Sequence, residues 1–175
     1  MRYVMKRIDS GNSSFEKIRQ SGNIYIDKTK YLYNLLTDGR TYYFLSRPRR
    51  FGKSLTLSTL DAIFKGKREL FKGLYIDSTD YDWKEHPVVH IDFSKCQEDN
   101  KEEIKEWIND ILFQIAKEYK IKLNKKKSYS FNLDLLITEL AKKEKVVVLI
   151  DEYDSLLNSN VNNDNIEGIR EVLRG

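Results

Sequence analysis

Gly52-Lys53-Ser54, closing the stretch Arg47-Pro48-Arg49-Arg50-Phe51-Gly52-Lys53-Ser54, has the residue types and spacing of a phosphate-binding loop. The full pattern is G-x-x-x-x-G-K-[ST], and counting back from Gly52 puts Arg47 where the first glycine would stand. Gly52 lets the backbone approach a phosphate with no Cβ in the way. The N–H groups around it, at the start of the helix that follows, form an anion-binding concavity. Lys53 brings a cation to β- and γ-phosphates, and the Ser54 hydroxyl is a ligand for Mg²⁺. The missing glycine eases a turn and carries no charge, so its loss predicts altered loop geometry with the ligands retained. Arg49 and Arg50 add two guanidinium groups suited to bidentate phosphate pairing or to stabilising transition-state charge. The plainer alternative for both is a carboxylate elsewhere or solvent.

A second group of chemical residues follows Val146-Val147-Val148-Leu149-Ile150, namely Asp151-Glu152-Tyr153-Asp154. Five aliphatic residues without polar alternation predict a strand covered on both faces, as in a parallel sheet. The acids then fall at the carboxyl end of that strand, where open α/β sheets bind ligands. There Asp151 suits Mg²⁺, directly or through water, and Glu152 suits orienting and activating water for γ-phosphate hydrolysis. Neighbouring side chains on a strand point to opposite faces, which lets the two acids divide these tasks. Taken alone, the acids could simply be a buried strand reaching solvent; a phosphate loop about a hundred residues earlier makes that reading the weaker one.

The elements that must position these groups alternate along the chain. Ser13-x-x-Glu16 reads as a capping box for a short helix, and Asp27 with Gly39 brackets a helix carrying Leu32, Leu35 and Leu36. A first strand is expected near 41–46, then a helix near 53–65 with Leu57, Leu60 and Phe64 inward. Val88 to Phe93 reads as a second strand. Ile104, Trp107, Ile108, Ile111, Leu112, Ile115 and Tyr119 recur at helical spacing over 101–119, and Leu133, Leu136, Ile137 and Leu140 do so near 132–143. Such alternation predicts a three-layer α/β fold around a mainly parallel sheet.

The quoted motifs, with Leu57-Ser-Thr-Leu60, Pro87-Val-Val-His-Ile-Asp-Phe-Ser94 and the earlier Phe15-Glu-Lys-Ile-Arg19 and Tyr25-Ile-Asp-Lys-Thr29, resemble the bacterial and archaeal AAA-ATPase-like family, in the same order and over nearly the whole chain. Related archaeal-type ATPases carry a Gly-Pro-Arg-Arg-x-Gly-Lys-Thr loop, against which Arg47 reads as a family trait. The resemblance implies an α/β P-loop NTPase-type fold of three α/β/α layers, with residues 1–40 as an N-terminal helical segment and 41–175 as an ATPase core that ends shortly after the Walker B strand. It implies ATP and Mg²⁺ as ligands, with Arg49, Arg50, Phe51, Gly52, Lys53, Ser54 and Leu55 at the nucleotide, Ser54 and Asp151 at the metal, and Glu152 as the catalytic base. Family members commonly continue into a sensor strand and a restriction-endonuclease-like nuclease domain of the PD-(D/E)XK type. The chain matches neither later element, so it is expected to be a C-terminally truncated front part of a longer protein. A fragment lacking a central strand would be marginal, rearranged or self-associating, since unpaired buried backbone groups cost on the order of 1–3 kcal/mol each. The competing expectation is a non-hydrolysing nucleotide-sensing or protein-interaction module.

Composition adds exclusions. The 175 residues fit one domain by length, and 33% charged with 40% hydrophobic content suits a water-exposed globular chain. A net charge of +4 does not by itself indicate nucleic acid. The basic stretch Lys120 to Lys127 reads as a solvated connection between helices. His90, inside a strand, reads as a packed residue. Tyr25 could stack an adenine or pack helices. The single cysteine, Cys96, excludes an internal disulfide and fits a reducing cytoplasm. No apolar run approaches the roughly 20 residues of a membrane span, and the charged N-terminus does not resemble a signal peptide. A cytoplasmic location is expected.

Overall fold

The computed structural model describes residues 7–8, 11–48, 50–155, 169 and 171–172. Among them the chain is of the α/β class, with five α-helices and a two-stranded parallel sheet, and it divides into two units, Met1–His86 and Pro87–Gly175.

The first unit is helical. Helix α1, Phe15–Gln20, starts at Ser14, whose hydroxyl accepts the Lys17 N–H at 3.3 Å. The expected cap was Ser13 with Glu16 closing the box. Two adjacent serines are locally equivalent, and the Glu16 carboxylate is drawn instead to the Lys67 ammonium, 2.6 Å away and distant in sequence. Helix α2, Thr29–Thr37, is fixed by Asp27, which accepts from the Thr29 N–H at 2.8 Å, the Thr29 hydroxyl at 2.7 Å and the Tyr75 N–H at 2.7 Å. Burial pushes this carboxyl up, but the donors outweigh it and leave it below its ordinary value.

Helix α3, Lys53–Phe64, has nearly the expected bounds but a different inward face: Thr59, Leu60, Ala62 and Ile63 are buried, while Leu57 and Phe64 are half-buried. A threonine can face inward here because its hydroxyl donates to the Leu55 carbonyl at 2.7 Å. The Ser58 hydroxyl accepts the Phe15 N–H at 2.9 Å, tying α3 to α1. The buried Phe15 ring lies 4.9 Å from Tyr25 and 4.5 Å from Phe71, centroid to centroid. Such contacts give the segment behind the loop a fixed seat.

The first strand expected near 41–46 does not form: residues 42–48 are irregular, and Tyr42 is 91% exposed. Apolar sequence makes a strand only where a neighbouring strand takes up its backbone groups.

In the second unit, β1, Val88–Asp92, pairs in parallel with β2, Val147–Asp151, so that Val88 faces Val147 and Asp92 faces Asp151. Between them run α4, Lys101–Glu118, capped by Asn100, and α5, Tyr129–Ala141, capped by Ser128. The amphipathic pattern predicted for α4 is the one that buries: Ile104, Ile108, Leu112 and Ile115 join Val89, Ile91, Leu136, Leu140, Ile169 and Val172 in one core. Burying each such side chain contributes about 1.5–3 kcal/mol. The fully buried Asn132 amide donates to Asn109 Oδ1 at 2.8 Å and to the Asn124 carbonyl at 3.0 Å, pinning the lysine-rich connection between α4 and α5.

Strand β2 departs from expectation. Leu149 and Asp151 are buried, but Val148 and Ile150 are 43% and 50% exposed, so the strand alternates instead of being covered on both faces. The core gathers on Val89 and Ile91 of β1, and a continuous aliphatic run does not by itself supply a layer for each face. No helix among the described residues is long and apolar enough to cross a membrane.

Candidate functional site

The sequence-predicted residues form two local groups, one in each unit. In the first, Phe51 N–H donates to the Pro48 carbonyl at 3.3 Å, closing a tight turn. Arg50 follows at φ 66° and Gly52 at φ 78°, ψ 28°, both left-handed. Arg47, in the place of the pattern's first glycine, is not among the described residues with positive φ. That position therefore makes no demand for glycine, whereas Gly52 does. Arg49 lies outside the described residues.

Gly52 is the N-cap of α3. Among the described residues no side chain caps this end, and the first turn holds no acidic residue. The Thr56 N–H makes the first helical bond, to the Gly52 carbonyl at 2.9 Å. Helix geometry gives the N–H groups of Ser54 and Leu55 no carbonyl four residues back within the helix. A Cβ placed on Gly52 would meet nothing within 4 Å. Lys53, Ser54 and Leu55 are half-exposed, and Phe51 and Arg50 are exposed. An uncapped helix start with a cationic residue and a hydroxyl in its first turn can bind an anion such as a phosphate.

Tyr25 belongs to the scaffold behind this loop. Its ring meets Phe15 edge-on and its hydroxyl lies 3.4 Å from Thr59 Oγ1, and burial pushes its pKa up. Packing is the reading these contacts favour over base stacking.

The second group is at the carboxyl end of the parallel pair. Asp151 is the last residue of β2 and only 6% exposed, and its Oδ1 accepts the Glu152 N–H at 3.0 Å. Glu152 leaves the strand in a left-handed conformation, φ 50°. The expectation that the two acids use opposite strand faces is thus replaced by a turn between them. Asp92 stands level with Asp151 on the neighbouring strand. It accepts from the Ser94 N–H at 3.1 Å and the Ser94 hydroxyl at 2.6 Å, and Lys95 lies 3.3 Å away. Burial pushes the Asp92 carboxyl up, but these partners outweigh it and hold it below its ordinary value.

Asp92 and the Glu152 turn are features that spacing did not single out. Strand register is not written locally, and Asn or Gly, not Glu, are the usual markers of left-handed backbone. His90, also on β1, is half-buried with its Nε2 buried and unbonded. Among the described residues no group of three or more His, Cys, Asp or Glu is placed to hold a metal ion.

Comparison with known proteins agrees with this pattern at the level of family. The model of a family described as predicted AAA-ATPase, AAA-ATPase-like, matches residues 9–175. The chain belongs to that family. It is 36% identical over 173 residues to an "Uncharacterized protein in vnfD 5'region" of Azotobacter chroococcum mcd 1, covering 97% of this chain and 33% of that protein. The chain therefore spans about a third of the length of this curated relative. No solved structure matches it.

Proposed function

We propose, from membership in the predicted AAA-ATPase family, that the chain is an ATP-binding module that, as part of the complete protein, hydrolyses ATP with Mg²⁺ and switches a linked or partner nuclease-like domain. The observation that carries the reading is the start of α3: a 12-residue helix opening on Lys53-Ser54, directly after a left-handed glycine, with no side-chain cap and no acid in its first turn. Nucleotide binding is suggested by the family, and the division of roles is inferred from chemistry. The backbone N–H groups at Gly52 to Leu55 cradle the phosphates, Lys53 adds its charge to the β- and γ-phosphates, and Arg49, Arg50 and Phe51 border the ligand. Mg²⁺, when bound, would offset the charge of the phosphates, and Ser54 and Asp151 are the residues of this chain that would hold it. Glu152 orients the attacking water and accepts its proton. The layout that goes with this function is a helical segment, 1–40, ahead of an ATPase core of three-layer type, 41–175. Self-association is part of the proposal, because ordering of loops by a γ-phosphate is read out through a neighbouring domain or subunit.

Thermal melting tests the binding step. Mg-ATP at about 100 times its dissociation constant stabilises a folded protein by about 2.7 kcal/mol. The wild type should show that shift and Lys53→Ala should not. A folded wild type without a shift contradicts nucleotide binding. A shift without phosphate release identifies the non-hydrolysing sensor instead.

A further inference from the structure

We propose that Ser155 is a positioning residue for Glu152, holding it in its left-handed conformation, with Asp92 as the outer anchor of the same set of hydrogen bonds. This rests on the reading of Glu152 as the base that activates water.

Glu152 has φ 50°, and a non-glycine residue keeps such a conformation only where its surroundings over-determine it. Lys120, at φ 58°, is explained by its place just past α4, where chains commonly turn left-handed to end a helix. Glu152 follows a strand and has no such explanation. It is held by its hydrogen bonds. Its N–H donates to Asp151 Oδ1 at 3.0 Å, and its carbonyl accepts the Ser155 N–H at 2.8 Å. Ser155 is itself fastened to the turn that follows β1, its hydroxyl donating to the Phe93 carbonyl at 3.1 Å. Phe93 is buried, and the turn it opens, Phe93–Lys95, is capped by Asp92 through the Ser94 N–H and hydroxyl. The sequence Asp92, Ser94, Phe93, Ser155, Glu152 is thus a continuous tie from the end of one parallel strand to the turn after the other.

The consequence is chemical. A general base must lie within hydrogen-bond reach of the proton it takes, and a misplacement of about 1 Å can cost on the order of a hundredfold in rate. A glutamate in a slack turn would sample several directions. Fixing both of its backbone groups sets the point from which its side chain extends and so narrows those directions. On the proposed reading this turn supplies no group to the phosphate cradle at the start of α3, so loss of the tie should reach kcat and spare affinity.

The test is steady-state Mg-ATP hydrolysis, with Mg-ATP affinity and melting temperature as controls, in the full-length protein carrying Ser155→Ala, Ser155→Thr or Asp92→Ala, each with and without Glu152→Gln. Ser155→Ala should lower kcat by about tenfold or more at unchanged affinity, Ser155→Thr should restore it, and neither Ser155→Ala nor Asp92→Ala should add to the loss in Glu152→Gln. Wild-type kcat in a folded Ser155→Ala, or an equal proportional loss in the Glu152→Gln background, overturns the positioning role. If Ser155→Ala does not fold, Asp92→Ala, which removes the acceptor of both Ser94 bonds, decides: lowered kcat at unchanged affinity supports the tie and wild-type kcat overturns it. Wild-type hydrolysis by Glu152→Gln overturns the underlying reading of the base, and the two failures are told apart by that single variant.

Discussion

The loop that opens α3 and the turn that follows β2 both place a residue in left-handed backbone, Gly52 at φ 78° and Glu152 at φ 50°, and they hold it by opposite means. Around Gly52 there is no side-chain cap, and a Cβ would find open space. The rigidity comes from behind, where Ser58 accepts from Phe15 and Thr59 lies against Tyr25. Around Glu152 the bonds are in the turn itself, from Asp151, Ser155 and Phe93. On the proposed reading, the start of α3 receives an anion, must leave its donors facing outward and is supported from its far side. The carboxylate proposed to work on water must instead be fixed where it stands.

The largest expected effect separates the two regions by chemistry. Glu152→Gln should lower the rate of ATP hydrolysis by about 10²–10⁴-fold and leave Mg-ATP affinity unchanged, measured as phosphate release and equilibrium binding. Equal rates would remove Glu152 as the base. Next is Gly52→Ala, which forces an L-residue into φ 78° and should cost about 1–2 kcal/mol of stability in chemical denaturation. Because the added methyl has room, that cost is conformational. A neutral result would mean the loop is not held left-handed in solution.

The smallest effect concerns pH. Asp27 in the first unit and Asp92 in the second both have carboxyls held below their ordinary values by donated hydrogen bonds, with the Lys95 charge also acting on Asp92. A lowered folded-state pKa means the unfolded chain binds more protons, so stability rises with pH through this range. The contribution is complete above the ordinary carboxylate range of about 4 and is lost as pH falls through the lower folded values. Denaturation midpoints measured from pH 5 downward should fall in the wild type and fall less steeply in Asp27→Asn. Identical slopes would mean that the Asp27 bonds to Thr29 and Tyr75 do not persist.

Legibility followed how local each determinant is. The spacing of Ile104, Ile108, Leu112 and Ile115 located α4 because burial of one helix face is a property of a continuous segment. The Gly52-Lys53-Ser54 start of α3 and the position of Asp151 at the end of β2 were legible for the same reason. What failed depended on distant partners. Glu16 goes to Lys67 and so does not close a capping box. Residues 42–48 join no strand, and β2 leaves Val148 and Ile150 half-exposed. The left-handed Glu152 had no signal at all in its residue type, and the bonds around it run through Ser155 to Phe93, 62 residues away in sequence from Ser155.

The most direct measurement is an equilibrium titration of Mg-ATP into the wild type, Lys53→Ala and Glu152→Gln side by side. Binding should be equal in the wild type and Glu152→Gln and lost in Lys53→Ala, which assigns recognition to the start of α3 and chemistry to the turn after β2. Undiminished binding by Lys53→Ala, or its loss in Glu152→Gln, would contradict that division.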